Sequence, residues 1–447
     1  MLRNHIVILT LILAFSAFAQ GKQLTLQECV KTAFENNPDL KMKAVDFEIA
    51  REEAKQSEKE RLPAIGFSGS YRRQSTIPEF KLPTIQSPFG GAAITLVPEG
   101  GIKLGSLDTY DFRLTMTQPV FTGFRLKNRI SASKARTVSK QYEVKAARAE
   151  LVYKVETAYA NVQKAKKFLQ IAQTGSQQVK KHLEDVENYV RQGLARRSEL
   201  LAVKVKLAEA ELNVVKARNG LQLAVAALEN VIGIQIEPGT EFADFVPDAE
   251  SIDLQASVQQ AMQEREEIKT FDFALQASRM AEKIVSGQRY PALSAFASYG
   301  YGRPGLDFIK NEWMDYWIVG VGAQWDLWNW GKTRSQIQQT KLQSRKLLEA
   351  EQQVRLAIRL DVTQACLKVQ EARERLELTK QMQQQAEEAF RVTENSFQQG
   401  QATNAEYLDA QLDLTRAKLR KAEAEIDYAL SLANWRRAVG INNKKYE

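Results

Sequence analysis

The longest feature of the hydrophobic pattern is a run of helical periodicity from residue 125 to residue 192. No proline interrupts this run, and Gly175 is its only glycine. At 1.5 Å per residue the helix would be about 100 Å long, which is typical of coiled coils and not of single globular domains. Gly193 predicts a break, and a second helix is predicted to follow as far as about Ile232.

The second helix carries two adjacent apolar stripes. The first stripe alternates steps of three and four residues over four heptads, the period of a left-handed coiled coil. Its members are Leu200, Val203, Leu207, Ala210, Val214, Ala217, Leu221, Ala224, Leu228 and Val231. The second stripe consists of Leu201, Val205, Ala208, Leu212 and Val215. Two stripes call for two neighbours, so the pattern predicts a curved wall of helices; the alternative is a two-stranded rod, which needs only one stripe.

Four segments have the pattern of β-strands: residues 64–72, 110–121, 292–301 and 316–328. Alternation is clearest in the second segment, where Tyr110, Phe112, Leu114 and Met116 face one way and Asp111, Arg113, Thr115 and Thr117 face the other. Each segment is about ten residues long, which is the length that a tilted strand needs to cross a bilayer.

Tryptophans cluster at the ends of the fourth segment. Trp313 and Trp317 lie at one end, and Trp325, Trp328 and Trp330 lie at the other. From Trp317 to Trp328 a tilted strand rises roughly 28 Å, close to the apolar band of about 25 Å between the two aromatic girdles of outer-membrane barrels. These tryptophans therefore indicate a membrane girdle; the alternative is that they fill an ordinary sheet core.

The chain repeats its own pattern. Leu24-Thr25-Leu26-Gln27 returns as Ile252-Asp253-Leu254-Gln255, and the segment from Pro119 to Ile234 returns from Asp326 to Ile441. The first copy carries an additional segment between Tyr71 and Pro119, which is rich in proline and glycine. We therefore expect an internal duplication, with one repeat at residues 20–250 and another at residues 251–447.

The N-terminus has the pattern of a secretory signal peptide at residues 1–19. Arg3 precedes an apolar run, and Ala17-Phe18-Ala19 forms the cleavage site. The run is too short for a lasting membrane helix, although an N-terminal anchor is the alternative. Cleavage would reduce the net charge from +8 to +7 by removing Arg3. Spread over a mixed-charge surface, this charge indicates no nucleic-acid partner.

The residues that carry chemistry are few. Two cysteines, Cys29 and Cys366, are predicted to be small buried thiols of unassigned role, because their repeat counterparts are Ser257 and Tyr159 and duplication did not pair them. After signal removal His182 is the only histidine, and we expect it on a solvated helix face. With no metal-ligand cluster or nucleophile–base pair apparent, the sequence predicts neither an enzyme nor a metal or cofactor site.

The strand count predicts an oligomer. Four strands cannot close a lipid-facing barrel, and open sheet edges are not tolerated in hydrocarbon. Several chains must therefore contribute four strands each to one barrel, which continues into the helical wall. The fold class is an α+β membrane protein that forms a tube. The alternative is a soluble periplasmic coiled-coil scaffold or pump-adaptor subunit, which explains the helices but not the strands.

Short motifs follow one another in the same order in both copies. They are Leu24-Thr25-Leu26 with Ala33 and Asn36-Asn37-Pro38, the stretch from Gln118 to Gly123, the Gly-Leu-Ala stretch at Gly193, Val231-Ile232-Gly233, and Ala438-Val439-Gly440. With these motifs the chain resembles the TolC-like outer-membrane efflux proteins. The resemblance implies a homotrimer with a 12-stranded barrel in outer-membrane lipid and an α-helical coiled-coil barrel in the periplasm. It also implies a passive, tip-gated exit duct that works with a periplasmic adaptor (membrane fusion protein) and an inner-membrane pump.

The resemblance further implies that Gly193 and Gly400 lie where paired helices reverse at the periplasmic tip. Matching positions for tip contacts are Ser198-Glu199 in the first copy and Phe397, Glu406 and Asp409 in the second. Because Glu406 and Asp409 share a helical face, three chains would form acidic rings that favour cations. The alternative is that these acids stabilise a helix dipole.

The sequence departs from the family's pattern at two tip positions. The family's tip tyrosine and arginine correspond here to Phe397 and Ala402, so charge would come from Arg196 and Arg197 instead. The predicted lumen-facing residues Ser68, Ser70, Thr115 and Gln324 are polar without chemical selectivity, so the sequence predicts no particular cargo.

Overall fold

The computed structural model describes residues 23–80, 90, 102–244, 252–307, 309–442 and 446. The predicted signal peptide at residues 1–19 lies outside these ranges, as does the predicted repeat boundary at residues 250 and 251, which stays a prediction. Within the described ranges, none of the helices combines the length and the apolar character that crossing a bilayer requires.

Helices and strands follow one another in the same order in both halves of the chain, apart from one small extra hairpin in the first half and a short 3₁₀ helix (Gly287–Arg289) in the second. In the first half they are α1 (Leu26–Asn36), α2 (Pro38–Lys59), β1 (Ala64–Arg73), the hairpin strands β2 (Glu79–Phe80) and β3 (Ile102–Lys103), β4 (Asp108–Phe121), α3 (Arg125–Arg191) and α4 (Arg197–Ile232). In the second half they are α5 (Leu254–Glu264), α6 (Glu266–Ser286), β5 (Ala292–Arg303), β6 (Met314–Gln324), α7 (Lys332–Gln398) and α8 (Asn404–Val439).

The long helices keep one register through both halves. Helices α3 and α7 have 67 residues each, and α4 and α8 have 36 residues each. The shift that takes α3 onto α7, end to end, also takes α4 onto α8, and it is the shift that takes Pro119 to Asp326 in the sequence repeats. The two predicted helices of the first copy are confirmed, and the first ends at Arg191, directly before the predicted end at Gln192.

Contacts divide the chain into two compact units, and each unit draws on both halves. Of the described residues, the first unit contains those within Met1–Phe47, Ser139–Asp272 and Glu349–Glu447. The second contains Glu48–Val138 and Phe273–Leu348 and includes the sheet. In the first unit the helices lie in the order α4–α3–α8–α7, as three ion pairs show: Lys204–Glu187 at 3.2 Å, Lys164–Glu423 at 2.7 Å and Arg375–Asp427 at 3.1 Å.

The two predicted stripes of α4 differ in burial. All ten members of the first stripe are buried or half-buried, which confirms the coiled-coil prediction. All five members of the second stripe are exposed, including Leu201 and Val215. The second stripe therefore has no neighbour within the described part of the chain, although an apolar stripe of this length is unfavourable in water.

Each half of the first unit has its own apolar core. In the first half, Ala33 of α1 and Val155 of α3 are fully buried together with Leu228 of α4. The repeat counterparts Ala261 and Val362 are equally buried in the second half. In each half, the first short helix is therefore held against the long helices by the same kind of apolar contact.

The four long strands form one antiparallel sheet in the order β1-β4-β5-β6, so β1 and β6 are its edges. Adjacent strands align Phe67, Leu114, Tyr299 and Trp317 in one row across the sheet. The next row, on the opposite face, is Ser68, Arg113, Gly300 and Tyr316. The predicted alternation of β4 is confirmed, and one face of the sheet is apolar while the other is mainly polar.

The fourth strand differs from its prediction of residues 316–328. Strand β6 begins at Met314 and ends at Gln324, so Trp325, Trp328 and Trp330 follow the strand and do not belong to it. The ladder ends there because its partner β5 begins at Ala292, directly after Pro291, which has no N–H to donate. The Trp325 indole N–H donates instead to the Arg289 carbonyl oxygen at 3.0 Å.

The two halves of the second unit approach each other closely at Gly123. Gly123 and Gly331 both have left-handed backbones, with φ of +63° and +80°. A Cβ on Gly123 would overlap the Gly287 carbonyl and lie 2.9 Å from the Tyr290 Cβ, whereas a Cβ on Gly331 would meet nothing within 4 Å. We expect Gly331→Ala to lower the free energy of unfolding by about 1–2 kcal/mol. Gly123→Ala should lower it by about 2 kcal/mol more through overpacking.

The measurement is chemical denaturation of the detergent-solubilised protein, followed by tryptophan fluorescence. Gly331→Ala is the matched control, since it shares the backbone strain without the overlap. Equal losses in the two variants would show that the approach at Gly123 is not tight.

Candidate gate at the helical tip

Both long helices end in a glycine turn that reverses the chain. Gly193 and Gly400 have φ of +74° and +72°, a conformation that L-residues with a Cβ rarely adopt. The Leu194 N–H donates to the Tyr189 carbonyl at 2.8 Å, and the Gln401 N–H donates to the Ser396 carbonyl at 2.8 Å. These bonds satisfy the last carbonyls of α3 and α7. The structure thus places both predicted tip glycines at the turns of helical hairpins.

The two predicted gate glutamates cap the helices that follow the turns. The Glu406 carboxylate accepts from the Thr403 N–H at 2.6 Å and from the Thr403 hydroxyl at 2.9 Å. These bonds, the backbone one foremost, hold the pKa of Glu406 below its usual value. Glu199 accepts from the Arg196 N–H at 3.3 Å. Stabilisation of a helix start, the alternative interpretation, describes what both side chains do within one chain.

Asp409 is the predicted gate acid that does not cap a helix. It lies one turn after Glu406, is exposed, and forms no hydrogen bond or ion pair with another described residue. Arg196 and Arg197 are also exposed beside the other turn, and within the described chain their side chains form no ion pair with these acids. The structure therefore leaves charged groups at both turns available to another molecule.

An aromatic cluster, which the sequence interpretation missed, supports the tip. His182 of α3 stacks on Tyr407 of α8, with ring centres 3.9 Å apart and planes 14° apart, and its ring centre lies 4.9 Å from that of Phe397 of α7. Its Nε2 is 2.6 Å from the Asn404 Oδ1. His182 is only 1% exposed, so the expectation of a solvated face is wrong.

The spacing of the apolar residues around His182 is a sequence signal for its burial. Val179, His182 and Val186 follow steps of three and four, and both valines are buried. His182 therefore occupies a coiled-coil position. Phe397, a predicted lumen residue, is half-buried and lies in the same cluster.

Burial also determines the charge of His182. Desolvation lowers the pKa of the imidazole below 6.5, against the opposing effects of the Asn404 hydrogen bond and of Asp185 and Glu394. The ring is therefore neutral at neutral pH. A neutral ring stacks on Tyr407 without the cost of a buried charge.

The five tryptophans lie around the ends of β6 and are exposed. Trp313 directly precedes the strand and stacks on Tyr301, with ring centres 5.0 Å apart. Trp317 lies in the first half of the strand, and Trp325, Trp328 and Trp330 follow its end. Because all five side chains are exposed, they do not fill a sheet core within the chain.

The two cysteines differ in burial. Both cysteines are free; Cys29 is buried, as predicted, and Cys366 is half-buried. Burial raises the pKa of Cys29 to about 12, so its thiol stays protonated. Among the described residues, no three or more histidine, cysteine, aspartate or glutamate side chains form a group that could hold a metal ion.

Comparison with known proteins identifies the family. The profile of the family described as outer membrane efflux protein matches residues 29–234 and 257–441. The chain belongs to the outer membrane efflux protein family. Members of this family are outer-membrane channels rather than enzymes, so the chain is a TolC-like export channel that extends into the periplasm. The alternative of a soluble periplasmic scaffold is not favoured.

Individual relatives are similar over most of their length. The outer membrane protein TolC of Vibrio cholerae is 24% identical over 69% of this chain and 71% of its own length. The alkaline protease secretion protein AprF of Pseudomonas aeruginosa is 20% identical over 96% of this chain and 86% of its own. The crystal structure of the Campylobacter jejuni CmeC outer membrane channel superposes with a TM-score of 0.76 at 17% identity, covering 93% of this chain and 86% of that one.

The buried histidine predicts how stability depends on pH. The unfolded chain binds a proton on His182 near pH 6.5, whereas the folded chain binds it only at lower pH. The stability that this difference contributes is therefore complete above about pH 6.5 and is lost as the pH falls toward the folded-state pKa. We expect the thermal unfolding midpoint to fall between pH 7 and pH 5, with a smaller fall in His182→Gln and His182→Phe.

The Phe variant retains an aromatic ring and the Gln variant a polar group, so a change common to both variants reports the lost titration. Carboxylates titrate in all three proteins and cancel in the comparison. A pH slope that is identical in the three proteins would refute the assignment.

Proposed function

We propose that three copies of this chain form a passive duct through the outer membrane. The observation that carries this proposal is the four-stranded sheet with two open edges and an exposed apolar face. Ile65, Phe67, Val319 and Val321 on that face of β1 and β6 are all exposed. In hydrocarbon such a face is favourable, but unpaired edge N–H and C=O groups are not. Closure through other copies satisfies both conditions.

The strand order supports closure by identical copies. An antiparallel sheet with an even number of strands leaves β1 and β6 running in opposite directions. Strand β6 of one copy can therefore pair antiparallel with β1 of the next. Three copies give the 12 strands that the family resemblance implies, within the size range of outer-membrane barrels.

The two outer helices of the four, α4 and α7, each have an exposed apolar side. In the first unit, α4 and α7 are the outer helices of the four and α3 and α8 are the inner ones. The second stripe of α4 is exposed, and so are Leu356, Leu360, Leu367 and Leu378 of α7. Contact between α7 of one copy and α4 of the next covers both sets and closes a ring of helices.

The exposed tryptophans support the position of the barrel in the membrane. Indole rings prefer the interface, where one part is apolar and the N–H is wet. Trp313 and Trp317 at one end of β6, with Trp325, Trp328 and Trp330 beyond the other, form the two girdles. The polar residues Ser68, Ser70, Thr115 and Gln324 share the opposite face of the sheet and line the lumen.

The turns at Gly193 and Gly400 form the periplasmic tip of the duct. There Asp409 contributes an acidic ring, and Arg196, Arg197 and the exposed Leu194 offer contacts for closing the tip and for a periplasmic adaptor. An inner-membrane pump supplies the energy of transport, since a passive duct does not concentrate its cargo.

The proposal is tested by mass and by conductance. Light scattering of the detergent-solubilised protein should give three copies, and reconstitution into planar bilayers should give discrete channels. Deletion of the gene should raise sensitivity to an exported compound or block a secreted protein. A mature chain that stays monomeric in detergent-free buffer without binding lipid contradicts the proposal.

The tip acids predict ion selectivity. If the Asp409 carboxylates line a narrow lumen, Asp409→Asn should lower the cation-to-anion permeability ratio, because three negative charges are lost there. Glu406→Gln should change this ratio less and should weaken the start of α8, since Glu406 belongs to a cap. Reversal potentials in planar bilayers under a salt gradient measure the ratio, with Glu406→Gln as the control. An unchanged ratio in both variants means that these carboxylates do not line the constriction.

A further inference from the structure

Two ion pairs join α3 to α8 within the chain. The Lys164 Nζ lies 2.7 Å from the Glu423 Oε1, and the Lys167 Nζ lies 2.6 Å from the Glu425 Oε2. Lysines thus stand on the long helix and glutamates on the short one. All four side chains are partly buried in this contact.

The internal repeat, which takes Pro119 to Asp326, maps these pairs onto the two open helices. On the long helix α7, Glu371 and Glu374 correspond to Lys164 and Lys167. On the short helix α4, the counterparts of the two glutamates are basic: Lys216 for Glu423 and Arg218 for Glu425. Every charge is reversed, and each counterpart pair is again one acid and one base.

These four counterpart residues are exposed in the chain. Among the described residues none of them forms an ion pair, and the one side-chain hydrogen bond is from the Gln370 amide to Glu374 at 3.4 Å. Their charges are therefore available to another molecule whose charges stand in the same register.

We propose that α7 of one copy packs against α4 of the next in the register in which α3 packs against α8 within the chain. Glu371 then pairs with Lys216 of the adjacent copy, and Glu374 pairs with Arg218. This inference rests on the proposed trimer and adds to it the residues and the register of the contact.

Apolar residues of the same faces agree with this register. Leu201 of α4 is 56% exposed, whereas its counterpart Leu408 is 8% exposed against the neighbours of α8. Leu367 of α7 is 59% exposed, whereas its counterpart Ala160 is fully buried. Leu367, Glu371, Glu374 and Leu378 follow steps of four, three and four, so they share one face of α7. The open faces of α4 and α7 therefore carry apolar residues at positions whose repeat counterparts are buried within the chain.

The reversal of charge separates the two kinds of contact. If α3 met α4 of another copy in this register, Lys164 and Lys167 would face Lys216 and Arg218. If α7 met another copy's α8 in the same way, Glu371 and Glu374 would face Glu423 and Glu425. Both arrangements bring like charges together and are unfavourable. The charges therefore favour the contact of α3 with α8 inside a copy and the contact of α7 with α4 between copies.

Charge reversal tests the pairing. The double variant E371K/E374K and the double variant K216E/R218E should each reduce the trimer fraction at low salt, by about tenfold. The quadruple variant, which restores opposite charges, should recover it. About 1 M salt should weaken the difference, because screening shortens the reach of exposed charges. Arg373→Glu is the matched control, since it reverses a charge about 200° around the same helix from Glu371.

A cysteine pair tests the register independently of stability. Within the chain, a Cβ on Gly175 would lie 3.6 Å from the Thr415 Oγ1. The counterparts of these residues are Met382 of α7 and Ala208 of α4. In a Cys366→Ser background, oxidation of M382C/A208C should link copies into dimers and trimers on denaturing gels. G175C/T415C should form its bond within one copy, and the single variants should form no specific link.

The outcomes separate this inference from the proposed function. A trimer that does not cross-link through M382C/A208C, and whose mass is unaffected by either charge reversal, overturns the proposed register and leaves the trimeric duct intact. A chain that is monomeric before any substitution overturns both. Cross-linking together with rescue by the quadruple variant supports the register.

Discussion

The edges of the four-stranded sheet set the constraint on which the other features depend. Strands β1 and β6 each present a row of N–H and C=O groups, and each unpaired group costs several kcal/mol in hydrocarbon. The apolar row that contains Phe67, Leu114, Tyr299 and Trp317 favours lipid, and the open edges forbid a lone copy there. For the proposed trimer, assembly is therefore a condition of membrane insertion and not an addition to a finished monomer.

In the proposed trimer, one geometry of helix packing serves both inside the chain and between chains, because the long helices recur with the same lengths. Helices α3 and α7 have equal lengths and end in equivalent glycine turns. The side chains then distinguish the two contacts. The observed pair Lys164–Glu423 and the proposed pair Glu371–Lys216 use the same positions with opposite signs, so similar packing would not lead to an exchange of partners.

The sequence predicted the features that depend on a long periodic pattern. The stripe from Leu200 to Val231, the turn at Gly193 and the alternation of β4 all follow from local spacing, and the structure confirms them. The end of β6 depended instead on where its partner β5 begins, which spacing within β6 does not show. The role of His182 depended on Tyr407 and Asn404, which lie in the other half of the chain. Residues such as Glu406 were found as acids at a helix start, but their hydrogen bonds required coordinates.

The helix contact within a copy and the proposed contact between copies differ at the tip. Within the chain, His182 stacks on Tyr407 and bonds to Asn404. The repeat counterparts of His182 and Tyr407 are Ala389 and Leu200, which are smaller, and Ala389 offers no side-chain hydrogen bond. A contact between copies in the same register would be weaker at this level than the contact within a copy. In the proposed trimer, the contact between copies therefore depends on residues farther along the helices, such as Leu367 and Glu371, and on the proposed barrel. In the proposed trimer, the helical tip is therefore held more firmly within a copy than between copies.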